Sequence, residues 1–521
     1  MFKCTIGIFV SLFLCLTISS QAQQNEKTLS LSLEDCILKA MKNNLGVAID
    51  ILGPELADVS VALSQEKFLP QLSLSYNKSE NRSASYSWIE AAEESISENM
   101  TYSAEISQQI PSGGSFTMRL SGNKYDTNRQ FQTINPRYGS TLRFNFNQPL
   151  LKNFGFNISR KEIIVAKNNR DISEINFKKA LQDTIYSVED AYWNLVYSIE
   201  ILKVRKQSFD LAQDLLEKNK RAVEVGTMAP IEILNAQSEV ATREADILDA
   251  EATVKNNEDI LKTIINLAAE EESELVKIIP KDKPEYEKKE VNLDEALLIA
   301  MNNRPDLQAS RVDLKNKEIN LSYTRNQLLP DLSLNASYWS PGVSGDRILY
   351  KDGNVLSGIV VGTDPGRASD ALKDAFGLKY NNWTVGLTLN IPLNSFFSRA
   401  AHAQARVNLQ QTMMQIKNQE QQIFLEIKQT VRAVQTNFKR VQAYKIAREL
   451  NERKLEAEEE RLKVGLSTNY WVLQYQRDLA LSQTTELRAL IDYNLSLASL
   501  NNALGISLKE KNISTTEILR R

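Results

Sequence analysis

The chain has 521 residues, 42% of them hydrophobic and 24% charged, with a formal net charge of only -3. A charge so close to zero provides no basic field for nucleic acid. A mean hydropathy of -0.34 is that of a water-soluble chain, and no run of about 18 apolar residues follows the N-terminal segment to make a transmembrane helix.

The first residues, MFKCTIGIFVSLFLCLTISSQA, read as a cleaved secretory signal over 1–22. Lys3 supplies the positive charge, Cys4 to Ile18 the apolar core, and Ser20-Gln21-Ala22 the small-x-small cleavage site. The apolar run is too short for a membrane anchor, and Leu14 before Cys15 does not suit lipid attachment. Cys36 is then the one cysteine of the exported chain, so no internal disulfide is expected and a small apolar core residue is.

A short helix is expected from Leu33 and a second ending at Leu69-Pro70. Segments with strand alternation follow: PQLSLSY from Pro70, TYSAEISQQI from Thr101, SFTMRLS from Ser115 and STLRFNFNQP from Ser140. PSGG, between the second and third of these, is a tight-turn sequence. A helical pattern then runs from about Asn157 to Val225, in which Leu181, Ile185, Val188, Tyr192, Leu195, Ile199 and Leu202 step by four and three. That spacing makes an apolar seam against a partner helix. After a turn at Gly226 a returning helix carries Ala241, Ala245 and Ala252 around Leu248, read as core packing between closely approaching helices.

The order then repeats. LEDCILKAMKNN from Leu33 parallels LDEALLIAMNNR from Leu293, and FLPQLSLSYN from Phe68 parallels LLPDLSLNAS from Leu328, both at an offset of about 260 residues. FNFNQPLLKNFG from Phe144 parallels LTLNIPLNSFFS from Leu387, and VEVGTMAPIEILNAQSEVA from Val223 parallels LKVGLSTNYWVLQYQRDLA from Leu462. The expected organisation is a signal at 1–22, a first repeat at 23–275, a charged, proline-bearing linker at 276–290 and a second repeat at 291–521. The second long helix, from about Ser395 to Val464, carries the seam Phe424, Ile427, Val431, Val434, Phe438 and Val441. Each long helix has about 70 residues, or roughly 100 Å, which points to a coiled coil or helical tube.

In WTVGLTLNI, residues Trp383, Val385, Leu387, Leu389 and Ile391 alternate with Thr384, Gly386, Thr388 and Asn390. Large apolar residues on one face and small polar ones on the other describe a membrane barrel wall, with lipid outside and water inside. With PDLSLNASYW from Pro330 there are six alternating segments, too few to close a barrel, and open edges cannot exist in lipid, so several copies must share one. Polar stretches at roughly 77–100, 122–137 and 340–379 are expected as loops outside the membrane.

The chain resembles the TolC-type outer-membrane efflux proteins, or outer membrane factors. The residues carrying the resemblance are AMNNRPDLQASRVDLKNKEINLSYTRNQLLPDLSLNASY from Ala300, NQPLL from Asn147, AYWNLV from Ala191 and the two Val-Gly tips. The resemblance implies a mixed α and β membrane protein. Three protomers would form an outer-membrane barrel continuous with a periplasmic helical tunnel, opened when a periplasmic adaptor and an inner-membrane transporter of proton-driven (RND) or ATP-driven (ABC) type dock. The family usually has four strands per protomer; with the extra hairpin from Thr101 to Ser121 this chain offers six, hence about 18 strands in the trimer rather than 12.

On the same resemblance the hairpin tips meet the adaptor: Arg221, Val225, Gly226, Thr227 and Met228 in the first repeat, Lys463, Val464, Gly465 and Leu466 in the second. Acidic rings near the tips narrow the tunnel in the family and would favour cations. Glu232 occupies such a place; in the second repeat Tyr470 and Trp471 stand there, as an apolar constriction or as packing between helices, with Asp478 further on. No catalytic cluster, cofactor motif or metal site is expected: His402 is the one histidine, and the eight methionines form no relay, although Met413 and Met414 are adjacent. A periplasmic coiled-coil spacer or adhesin stalk is the alternative; it accounts for the heptads but not for the strands or the duplication.

Overall fold

A computed structural model describes residues 27–85, 93–267, 276–284, 286–515 and 518. The expected signal at 1–22 and part of the first expected loop lie outside the described residues. The protein mixes helix and strand. The chain begins with β1 (Lys27–Leu31), α1 (Leu33–Asn43) and α2 (Leu45–Glu66), then β2 (Gln71–Ala84), β3 (Glu94–Gln109), β4 (Ser115–Thr127) and β5 (Ile134–Pro149). Next come α3 (Phe156–Ser159), α4 (Lys161–Glu224), α5 (Ile231–Ile264) and β6 (Val276–Pro280). The second half holds α6 (Leu293–Asn303), α7 (Pro305–Asn326), β7 (Asp331–Tyr350), β8 (Val360–Asp364), α8 (Ala368–Phe376), β9 (Asn382–Asn390), α9 (Phe396–Lys463), α10 (Asn469–Leu504) and α11 (Ser507–Glu510).

The chain divides into two compact units. One comprises the described residues of 46–183 and 290–432 and those from 500 onward, and contains the large sheet. Its seven strands among the described residues run β2-β3-β4-β5-β7-β8, with β9 also paired to β7. Every neighbouring pair is antiparallel. All six segments expected as strands therefore lie in one sheet, and the Thr101–Ser121 hairpin sits between β2 and β5 within it. PSGG forms the tight turn, with the Gly113 amide donating to the Ile110 carbonyl at 2.8 Å.

The expected loops are partly strand. β2 runs on to Ala84, β3 starts at Glu94, β4 ends at Thr127 and β7 at Tyr350. Strands of 13 to 20 residues exceed the 9–11 or so needed to cross a membrane. Ladder hydrogen bonding continues past the point where the alternation fades, because backbone pairing does not depend on having an apolar face.

Register aligns the apolar residues into one face. Leu74 pairs with Ala104, Ala104 with Leu120, and Leu120 with Leu142. One step along, Phe144 pairs with Met118 and Tyr338, and Tyr338 pairs with Trp383. The opposite face carries Ser73, Glu105, Arg119, Arg143, Asn145 and Thr388, with Arg119 ion-paired to Glu105 and the Arg143 guanidinium 4.8 Å from the Trp339 ring centre. A one-residue slip would exchange the two faces, so the pattern itself fixes the register.

The Arg-Pro-Asp of the second half has a plain structural purpose. Pro305 opens α7, where its missing N–H costs nothing. Arg304 forks onto Asp306 at 2.8 and 3.0 Å and reaches Glu426 on α9 at 2.5 Å.

The other unit comprises the described residues up to 45, with 184–289 and 433–499. Here β1 pairs in parallel with β6, Lys27 opposite Val276. The segment expected as a linker is thus partly strand and strapped down. Asp282 accepts from the Leu33 amide at 2.6 Å and from the Tyr192 hydroxyl at 2.9 Å, and Tyr286 stacks on Phe438 with ring centres 5.3 Å apart. Cys36 is fully buried on α1, as expected, and burial pushes its thiol up to about 12.

The long helices lie near their expected bounds. The α4 seam from Leu181 to Leu195 is fully buried. Two readings need correction. On α9 the seam passes through Ile423, not Phe424: Ile423 and Ile427 share a face one turn apart, while Phe424 is rotated about 100° away and exposed. On α5 the buried face is Ala236, Glu239, Arg243, Ala250 and Val254, whereas Ala241, Ala245, Leu248 and Ala252 are exposed in the protomer rather than packed in its core.

Candidate functional site: the hairpin tips

Both helical hairpins turn by the same device. After α4 the Thr227 amide donates to the Ala222 carbonyl at 2.9 Å and the Gly226 amide to the Val223 carbonyl at 3.0 Å. After α9 the Leu466 amide donates to Arg461 at 2.8 Å and the Gly465 amide to Leu462 at 3.0 Å. These are paired six-to-one and five-to-two helix-ending bonds, which need a left-handed residue. Gly226 and Gly465 supply it, at φ 77° and 73°.

The tips project apolar side chains. Val225, Val464 and Leu466 are 68–75% exposed. Arg221 and Lys463 are exposed beside them, while Met228 is half-buried. The Thr227 hydroxyl also caps the Ala222 carbonyl at 2.9 Å, and Ser467 donates to the buried Glu458 at 2.5 Å. Behind the tips Leu215, Leu455, Val472, Leu473 and Leu479 form a shared core. The apex thus carries exposed apolar side chains beside exposed cations, on turns closed by main-chain hydrogen bonds.

The expected gate residues separate into three places. Glu232 is half-buried, with the Asn469 amide 3.5 Å from its carboxylate and 3.2 Å from the Met228 sulfur. The Asn469 side-chain oxygen is buried without a hydrogen-bond partner among the described residues. Tyr470 and Trp471 are exposed in the protomer and meet edge to face with ring centres 5.4 Å apart, Trp471 leaning on Tyr475 at 5.9 Å. Asp478 takes no part in this cluster; it accepts from Gln474 at 2.9 Å and lies 3.9 Å from the Lys454 amine.

Sequence reasoning missed the buried ionic knot nearby. Glu239 on α5 accepts from Arg243 at 3.0 Å and from Arg477 of α10 at 2.9 Å. Arg243 also donates to the Ser208 carbonyl at 2.5 Å and to Gln476 at 3.1 Å, and its remaining Nη2 is buried without an acceptor among the described residues. Arg477 holds the Glu239 carboxyl below the usual glutamate value against the opposing effect of burial, and Arg243 adds to this. The one sequence signal was Glu239 and Arg243 at i, i+4.

His402 is half-buried, 3.3 Å from the Thr324 hydroxyl. Among the described residues no group of three or more His, Cys, Asp or Glu side chains is placed to hold a metal ion, and no helix is long and apolar enough to cross a membrane.

Residues 135–267 and 297–506 match the family described as outer membrane efflux protein. Comparison with curated proteins gave no match. Among solved structures, the Campylobacter jejuni CmeC outer membrane channel has a similar fold, with a TM-score of 0.65 at 16% identity, covering 93% of this chain and 90% of that one. The Vibrio cholerae outer membrane protein VceC gives 0.62 at 14% identity, with 91% and 96% covered. The Neisseria gonorrhoeae MtrE outer membrane channel, in its open state, gives 0.59 at 19% identity, with 91% and 88% covered.

Proposed function

The chain belongs to the outer membrane efflux protein family, and from that premise we propose that it is the outer-membrane exit duct of a tripartite efflux pump or a type I secretion system. It conducts cargo passively from a periplasmic adaptor and an inner-membrane RND or ABC transporter to the exterior. The observation that carries this reading is the two-faced sheet. In β9, Trp383, Val385, Leu387 and Leu389 are 54–72% exposed on one side, and the polar residues of the same strand line the other. A water-soluble stalk has no use for an apolar face left bare to solvent.

The working assembly is a homotrimer. β2 pairs with β3 alone and β9 with β7 alone among the described strands, so the sheet ends in two open edges. Setting β9 of one copy beside β2 of the next pairs both edges head to tail, as cyclic symmetry allows. Six wall strands per copy, β2 to β5 with β7 and β9, make about 18 in the trimer. An exposed stripe on α2, Leu45, Ile49, Leu52, Leu56, Val59 and Leu63, steps by four and three at 51–68% exposure. Such a stripe suits a neighbouring helix, and the small exposed face of α5 suits a second.

The two halves descend from one duplicated unit, 23–275 and 291–521. Supporting this, α1 and α6 each have 11 residues, α2 and α7 each have 22, and both tips close by the same bonds. The tips are the adaptor docking points. Glu232 and the Tyr470–Trp471 pair line the narrow end, and Asp478 props α10 against Lys454.

Photo-crosslinking groups placed at Thr227 and Leu466 in living cells test the docking, with captured partners identified by mass spectrometry. Capture of a periplasmic adaptor is the expected result. Absence of any crosslink from protein correctly seated in the outer membrane would reject the tips as docking points. Single-channel conductance of the purified trimer in a planar bilayer tests the duct directly; a protein that needs no detergent and forms no pore would be a stalk.

A further inference from the structure

The segment between β8 and β9 does not simply loop back. It lays α8 across the sheet. The face it covers is the apolar one: Ser140, Leu142, Ser340 and Gly342 are all buried, and they share register with Leu120 and Gly122. Gly342 makes the approach possible, since a Cβ there would stand 2.0 Å from the Ala371 carbonyl oxygen. Ala371 and Ala375, one turn apart and fully buried, form the contact stripe of the helix.

Seen down its axis, α8 has three sectors at 100° per residue. Ala371 and Ala375 face the sheet. Leu372 and Phe376 lie on one flank, 39% and 52% exposed. Asp370, Lys373 and Asp374 lie on the other, with Lys373 3.6 Å from Asp370. Between the apolar flank and the sheet runs a groove of about 460 Å³, lined by Leu74, Ala104, Leu120 and Leu372. Gly342 lies 11 residues above the start of β7. At about 3.3 Å per residue and a tilt near 40°, that is roughly 28 Å, the top of a barrel's apolar band.

We propose that α8 is an interfacial helix clamped to the outside of the barrel, with its apolar flank and groove occupied by acyl chains of outer-leaflet lipid and its charged flank at the headgroups. The inference rests on the barrel reading above. The occupant follows from continuity: the groove floor belongs to the same apolar face that β9 presents to lipid. A helix with small residues inward, large apolar ones to one side and charges to the other has the amphipathic design of an interfacial helix.

The test is nitroxide accessibility in the trimer reconstituted into lipid bilayers. Leu372→Cys and Phe376→Cys report the apolar flank, Lys373→Cys the charged one, and Leu387→Cys the barrel wall. Unsubstituted protein, labelled in parallel, supplies the background, which the buried Cys36 keeps low. The expected result is a several-fold preference for oxygen over a water-soluble nickel complex at 372, 376 and 387, reversed at 373. Lipid exposure at 387 with aqueous exposure at 372 and 376 would overturn the proposal and leave the barrel intact. Exclusion of both reagents at 372 and 376 would also overturn it, since protein would then cover the helix. An aqueous signal at 387 would bring down the barrel reading itself.

Discussion

Glu239 shows what a single side chain contributes near the tips. Its side chain and that of Arg243 are 7% and 5% exposed, and they are paired with each other. Removing one partner of a buried pair costs about 3–5 kcal/mol, because the other charge is left uncompensated. Glu239→Ala should therefore lower helix stability by about that amount at pH 7, read by thermal unfolding followed by circular dichroism, and Glu239→Gln by less. The pH dependence has a definite sign. The folded carboxyl titrates below the ordinary glutamate value of 4.5, so its contribution is fully present above pH 4.5 and fades as the pH falls through the lowered value. Wild type should lose stability in that acid range, and Glu239→Gln should lose less. The i, i+4 spacing of Glu239 and Arg243 was open to view, but the link to Arg477 was not, since Glu239 and Arg477 are 238 residues apart. The Arg304–Asp306 fork joins residues only two apart.

The hairpin tips and the seams were largely legible, because they depend on local pattern. Val-Gly after a long helix announces a left-handed cap, and the structure has one at each site. A Cβ added at Gly226 or Gly465 would meet nothing within 4 Å, so substitution there meets backbone strain and no clash. Gly226→Ala or Gly465→Ala should each cost about 1–2 kcal/mol, visible as faster amide exchange in the last turns of α4 or α9 with the rest of the protein unchanged. The seam could not be followed at Ile423 and Phe424: the three-four count back from Val431 and Ile427 selects Phe424, whereas the residue buried one turn before Ile427 is Ile423. Ile427→Ala, at a fully buried position, should cost about 2–5 kcal/mol in thermal unfolding. The strand ends and α8 were not legible, because no alternation marks a ladder outside an apolar environment and a nine-residue helix with only Leu372 and Phe376 as large apolar residues resembles a polar loop.

For the molecule as a whole, the two faces of the sheet make a sharp prediction. Leu387→Arg places a charge on the lipid side and should destabilise the barrel by about 2–4 kcal/mol if it lies near the bilayer midplane. Thr388→Arg, one residue on, lies on the opposite face, which the proposed barrel turns to its lumen, and should leave membrane insertion intact while altering single-channel conductance. Urea unfolding in bilayers separates the two variants. Pairing across the chain also has a consequence in time. β2 to β5 can zip up locally, but β5 meets β7 only when Gln148 has Leu334 to pair with, and β1 finds β6 only when Val276 is available to Lys27. A chain delivered from its N-terminus spends an interval with the far edge of β5 bare and its first strand unmatched. A bare edge is a template for wrong pairing, so slowing export between the two halves should raise the aggregated fraction, whereas an equal delay after Asn390 should have far less effect.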